Sequence, residues 1–174
     1  MEAPARPATP ARTTITSSRP GHVARVDPIS LDATDYRRIL LATDLSRASE
    51  RAADEAIRLA VESRALLVVF SVVDPGRLRL PGGAFLLRVD QERARIDTAV
   101  QRLVGRARQA GARATYLVWE GDPAEAILAA SEAEDIDAIV LGSHGRGLLG
   151  RLVLGSVSAR VSESARCRVL VVAA

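Results

Sequence analysis

Two groups of residues in this chain have the types and spacing for chemistry. The apolar run Ile39-Leu40-Leu41-Ala42 ends in Thr43-Asp44, which leaves a carboxylate at a strand end. A later apolar run ends in Gly142-Ser143-His144-Gly145-Arg146-Gly147, and Gly155-Ser156 follows downstream. Glycines at a strand end let the backbone approach a ligand and turn its amides toward an anion. Ser156, opening a helix, adds free amides at the positive end of the helix dipole. Arg146 can supply the phosphate-facing charge that other sites take from lysine. Asp44 suits another part of the ligand, since a carboxylate repels phosphate but accepts hydrogen bonds from ribose or base. A polar group for sugar or base and an amide group for phosphates together point to a nucleotide.

The elements that must position these residues alternate along the chain. Arg38–Ala42, Leu66–Val73, Ala114–Trp119, Asp137–Leu141 and Arg168–Val172 are short apolar runs that predict five strands. Ala53, Ala56, Ile57 and Ala60 recur at helical spacing after Ser46 and Ser49, which are candidate N-caps. Ile96, Val100, Leu103 and Ala107 mark a second helix ending at Gly111, after a Pro- and Gly-rich loop from Asp74 to Asp90. Asp122-Pro123-Ala124-Glu125 is a helix start with cap, first-position proline and glutamate in register. A last helix runs from Ser156 to Ala165. Strands that are apolar throughout and separated by helices belong in an open α/β fold, a parallel sheet covered on both faces. Ligands bind such sheets beyond the carboxyl ends of strands, where strand order reverses. An order of 3-2-1-4-5 sets Asp44 and Gly142 across one crevice. A flavodoxin-like order puts the crevice between the first and third strands, where Trp119-Glu120-Gly121 offers no comparable donors.

Composition narrows the function classes. The chain has 174 residues, 48% hydrophobic and 26% charged, a size for one domain with its own core. Cys167 is the only cysteine and His22 and His144 the only histidines. A disulfide framework and multi-cysteine or histidine-rich metal sites are therefore excluded. All 24 basic residues are arginine. Without lysine, neither a P-loop nor a Schiff-base mechanism can be built. The net charge of +3 lies in residues 1–26, where Arg6, Arg12, Arg19 and Arg25 face Glu2 alone. The remainder is neutral and only 3% of residues are aromatic, so no basic nucleic-acid face is expected. Residues 1–35, interrupted by Pro4, Pro7, Pro10, Pro20 and Pro28, show no apolar period and read as a disordered tail ahead of a domain at 36–174. The longest near-apolar run, Ala65 to Val73, is about half a membrane span. No signal-peptide core precedes it, and a cytoplasmic protein is expected.

Gly145-x-Gly147-x-x-Gly150 matches the dinucleotide fingerprint formally, but it follows the fourth strand and no acidic strand end comes after it. The spacing Gly142-x-x-Gly145, nine residues, then Gly155-Ser156, with Ala42-Thr43-Asp44 and Leu154-Gly155-Ser156-Val157-Ser158, resembles the ATP-binding motif of the universal stress protein family. The resemblance covers residues 36–174. It implies the 3-2-1-4-5 Rossmann-like sheet of the adenine nucleotide alpha hydrolase-like class. It also implies an ATP site in which Asp44 meets adenine or ribose and Val73 or its neighbour lines the base pocket. Gly142, Gly145, Arg146, Gly155, Ser156, Val157 and Ser158 would hold ribose and phosphates, with Mg or Mn carried by the phosphates rather than by protein side chains. A homodimer through Val169, Leu170, Val171 and Val172 is implied as well. His144 is read as a loop residue, Cys167 as core and Trp119 as sheet packing.

The expected function is a regulatory ATP binder of the stress response, and not an enzyme. No carboxylate is placed to activate water and no lysine meets the γ-phosphate. Slow ATP hydrolysis, a ligand-free dimeric scaffold and a site for another adenine nucleotide such as cyclic AMP are the alternatives.

Overall fold

The computed structural model of the chain describes residues 13–16, 36–78, 85–143 and 155–173. Six strands form one sheet in the order β1-β6-β5-β2-β3-β4. They are β1 (Thr13–Thr16), β2 (Arg38–Ala42), β3 (Leu66–Val73), β4 (Arg113–Glu120), β5 (Ala138–Gly142) and β6 (Arg168–Val172). The helices are α1 (Glu50–Ser63), α2 (Phe85–Gln109), α3 (Pro123–Ala133) and α4 (Ser156–Ser164). β2 to β6 pair in parallel, and they are the five expected strands in the 3-2-1-4-5 order.

Both faces of the sheet are buried, which is why these strands read as continuous apolar runs. Ile39, Leu41, Leu67, Val69, Val140 and Leu170 pack against α1 and α2 on one face. Leu40, Val68, Phe70, Ile139, Leu141 and Val169 pack against α3 and α4 on the other. Trp119 lies edge-on to Phe70, with ring centroids 5.5 Å apart, in line with a sheet-packing role. Cys167 sits just before β6, half-buried rather than in the core proper, and burial pushes its thiol up from the usual range.

Several elements differ from the sequence reading, among them β5, which lies one residue later than the expected Asp137–Leu141, and α4, which ends at Ser164 rather than Ala165. Residues Thr13–Thr16, within the tail read as unstructured, form β1 and pair antiparallel with β6. Helix α2 begins at Phe85, so the expected Asp74 to Asp90 loop is shorter; it also holds a 3-10 turn at Pro75–Leu78. The apolar period that marks this helix starts only at Val89, because Leu86 and Leu87 are exposed. β4 extends one residue further at each end, through the exposed Arg113 and Glu120. At α1, neither Ser46 nor Ser49 caps through its side chain. The α3 start holds as expected: Asp122 accepts the Glu125 N–H at 3.0 Å, with Pro123 at the first position.

At the lower end of the sheet one carboxylate ties β2 to β5. Asp137 Oδ2 accepts the backbone N–H of Arg37 at 2.8 Å and of Arg38 at 2.9 Å. The Asp137 N–H in turn donates to the Arg38 carbonyl at 3.0 Å. Asp137→Ala removes the acceptor for both amides and should destabilise the fold by about 2 kcal/mol in urea unfolding, as expected for hydrogen bonds to a half-exposed charged group. A loss within experimental error would show that the ladder alone holds this end.

Candidate functional site

The chain leaves β2 toward α1 on one face and leaves β5 toward α4 on the other. β2 and β5 are neighbours, with Ala42 opposite Leu141. Their carboxyl ends therefore form the point where strand order reverses and the two connections diverge, which opens a crevice. Thr43-Asp44 leaves one wall and Gly142-Ser143 the other.

On the β2 side, the turn is built by short polar side chains. Thr43 is buried; its Oγ1 accepts the Leu45 N–H at 3.0 Å and lies 2.9 Å from Ser49 Oγ. Ser49 Oγ donates to the Ser46 carbonyl at 2.8 Å. Asp44 is half-buried, and its Oδ1 accepts the Ser46 N–H at 3.0 Å in an Asx-type turn. This network holds Leu45 at φ 59°, a left-handed conformation that costs a non-glycine residue about 1 kcal/mol or more. Leu45 packs against the α1/α2 core. Ser46 Oγ is buried without a hydrogen-bond partner among the described residues.

On the β5 side, the Ser143 carbonyl is the hub. It accepts the Gly155 N–H at 2.8 Å and the Ser158 hydroxyl at 3.2 Å, while Ser158 Oγ also reaches the Gly155 carbonyl at 2.9 Å. These bonds fasten the start of α4 to the end of β5. Gly155 is the N-cap, and the first intrahelical bond runs from Ala159 N–H to the Gly155 carbonyl. Helix geometry leaves the N–H groups of Ser156, Val157 and Ser158 without intrahelical acceptors. Ser156 is exposed, Val157 half-buried and Ser158 buried. Val73 ends β3, with its side chain fully buried and its carbonyl accepting the Gly121 N–H at 3.0 Å.

The structure thus brings Asp44 and Gly142 to adjacent strand ends, and ties Gly155, Ser156 and Ser158 to the same end of β5. Gly145 and Arg146, together with His144, lie outside the described residues. Sequence reasoning missed Thr43, Ser46, Ser49 and the Ser143 carbonyl. The signal available was the polar run Thr43 to Ser49, whose Asx and Ser/Thr turn chemistry is readable from residue type.

A doubly wound α/β sheet with a switch-point crevice is the class that fold and site define. Residues 35–173 match the model of the universal stress protein family. The chain belongs to that family. It is 37% identical over 140 residues to a universal stress protein of Thermus aquaticus, covering 79% of this chain and 98% of that protein. Among solved structures it is similar to the universal stress protein UspA from Lactobacillus plantarum, with TM-score 0.72 and 28% identity, covering 79% of this chain and 97% of that one. It is also similar to a universal stress protein in complex with cAMP, with TM-score 0.62 and 27% identity, covering 80% and 98% of the two chains.

Thr43→Val keeps the volume but leaves the Leu45 N–H, already in a strained turn, without its acceptor. The cost should be about 1–3 kcal/mol by denaturant unfolding, the range for orphaning a buried polar group. A neutral substitution would mean that the turn is held by Asp44 instead.

Proposed function

We propose that this protein binds ATP in the crevice between β2 and β5 and acts as a regulatory nucleotide binder. The adjacency of the two strand ends carries this reading, since it sets a carboxylate beside a fastened helix start bearing free amides. Asp44 keeps Oδ2 for a ribose hydroxyl or base N–H while Oδ1 holds the turn. Ser46 Oγ, buried and unpartnered among the described residues, suits a polar ligand on the same wall. The amides of Ser156, Val157 and Ser158 receive phosphate oxygens, favoured by the positive end of the α4 dipole. Gly142 leaves room for the ligand's close approach, and Gly145 and Arg146 complete the phosphate side. Val73, buried as it is, contributes by shaping the floor rather than by open surface. A divalent ion, Mg or Mn, arrives on the phosphates and neutralises their charge.

Several features support binding without turnover. The motif supplies no carboxylate aimed at an attacking water and the chain has no lysine. A second reading, a cyclic or shorter adenine nucleotide, draws on the relative solved in complex with cAMP. Backbone amides recognise phosphate without counting how many there are, so both readings use the same residues. The homodimer implied by Val169, Leu170, Val171 and Val172 needs the outer edge of β6, which β1 holds in this chain.

Calorimetric titration with Mg-ATP, AMP and cyclic AMP tests the assignment. Micromolar affinity for Mg-ATP, about −8 kcal/mol, should be lost in Gly142→Asp, which adds bulk and negative charge at the strand end. Asp44→Ala should weaken binding about ten- to a hundredfold, the worth of a hydrogen bond to a charged group. Absence of heat and of thermal stabilisation with all three nucleotides, in protein shown free of co-purified nucleotide, would overturn the reading. Phosphate release at saturating ATP should stay well below about 1 s⁻¹, the low end of ordinary enzyme turnover.

A further inference from the structure

Two helix starts stand side by side at the carboxyl end of the sheet. Helix α3 follows β4 and α4 follows β5, and these strands run parallel through β2 and β3, so both helices present their positive ends there. The chain treats the two ends in opposite ways. At α3 the Asp122 carboxylate is the cap, and Glu125 adds a second acid in the first turn. At α4 the cap is Gly155, and the first turn holds no acidic residue. One positive end is filled by the chain's own carboxylates, and the other is left open on the crevice.

Arg160 joins the two helices. Its Nη1 donates to Asp122 Oδ1 at 3.1 Å and its Nη2 to Glu125 Oε1 at 2.6 Å. Ser156 and Arg160 are both exposed and lie four residues apart, which puts them on one face of α4. One turn rises about 5.4 Å, and a long helical side chain leans toward the helix start. The guanidinium and its two carboxylates therefore sit within about 10 Å of the Ser156 amide, close to one Debye length at ordinary salt. Glu120, a further acid at the end of β4, is paired with Arg93 of α2.

The triad is not needed to fasten either helix. The start of α4 is held by the Ser143 carbonyl, which accepts from Gly155 and Ser158. The start of α3 is held by Gly121, whose positive φ of 140° turns the chain out of β4 and whose N–H donates to the Val73 carbonyl at 3.0 Å. The side chains of Arg160, Asp122 and Glu125 are 48%, 47% and 68% exposed, and ion pairs so exposed add little to stability. What the triad sets is charge. With about half a positive charge from the α3 dipole, two carboxylates and one guanidinium come to about −0.5. Without Arg160 the same corner would carry about −1.5, and without the Glu125 charge about +0.5.

We propose that Arg160 sets the charge selectivity of the crevice: by offsetting Asp122 and Glu125 it keeps the open end of α4 receptive to phosphate, and it raises affinity most for the most highly charged nucleotide. This rests on the nucleotide reading above and adds to it a residue that the glycine motif does not contain. Arg160 touches no ligand in this role; it acts through the field of the carboxylates that it pairs. Ions in solution screen such a field, so the effect depends on salt in a way that mechanical fastening does not.

Calorimetric titration of the full chain with Mg-ATP, a dianion, and cyclic AMP, a monoanion, tests this at low and high salt. Arg160→Gln should weaken Mg-ATP about three- to tenfold at low salt, the size of one unit charge acting on a dianion at that distance. The loss for cyclic AMP should be about half as large on a logarithmic scale, and both losses should shrink at high salt. Glu125→Gln, which leaves Arg160 with surplus charge, should tighten Mg-ATP by a similar factor. The double variant Arg160→Gln/Glu125→Gln should bind like the parent. A mechanical tie would instead make all three variants weaker, and that result would overturn the proposal. So would unchanged affinity in Arg160→Gln, or a loss that salt does not reduce. A parent that binds neither nucleotide is a different failure: it overturns the nucleotide reading, and this inference with it.

Discussion

The register between β2 and β5 decides what stands at the top of this sheet. Both strands are apolar on both faces, so hydrophobic alternation does not choose it. The choice is made by polar groups at the lower end. Asp137 accepts the Arg37 and Arg38 amides at the bottom. At the top the Thr43 N–H donates to the Phe70 carbonyl of β3 and the Ser143 N–H to the Val172 carbonyl of β6, which ties each of the two strands to its other neighbour. A slip of β2 by one residue would move Ile39 and Leu41 from the α1/α2 core into the α3/α4 core and break the Asp137 bonds. It would also separate Asp44 from Gly142. The crevice is thus held from below by a carboxylate that has no part in it.

From that register the two walls of the crevice follow by different means. The β2 wall is a strained turn, in which Thr43, Asp44 and Ser49 over-determine the left-handed Leu45. The β5 wall is relaxed, with a helix start fastened through the Ser143 carbonyl. A rigid carboxylate and a rigid set of amides need no ordering when a ligand arrives, which is where preorganised sites gain affinity.

Much of this was legible in the sequence because buried parallel strands leave an unmistakable trace. β2, β3 and β6 have the bounds that their apolar runs predict, and the first turn of α3 follows from its cap and proline. The family motif placed Asp44, Gly142, Gly155 and Ser156 before any fold was known. What stayed hidden depends on partners distant in the chain or on exposed apolar residues. β1 has no apolar period, and its register partners are residues Val169 to Val172, at the far end of the sequence. The start of α2 is masked by exposed Leu86 and Leu87, which break the amphipathic pattern. Thr43 and Ser49 are small polar residues whose burial only the packed turn reveals.

The two sides of the parallel part of the sheet end differently. β4, the far edge, carries exposed Arg113, Thr115 and Glu120, and Glu120 pairs with Arg93 of α2 at 2.5 Å. Charges at both ends of that strand, with side chains only half-buried from Tyr116 to Trp119, make it a poor template for another chain. β6 is the reverse case: its residues must be apolar because helices cover both of its faces, so charge cannot be spent on blunting its edge. The burial that stabilises β6 is the same property that makes its edge adhesive. In this chain the antiparallel β1 lies along that edge, with Thr14 opposite Val171 and Thr16 opposite Val169, so the outward backbone groups of β6 meet a strand of the same chain.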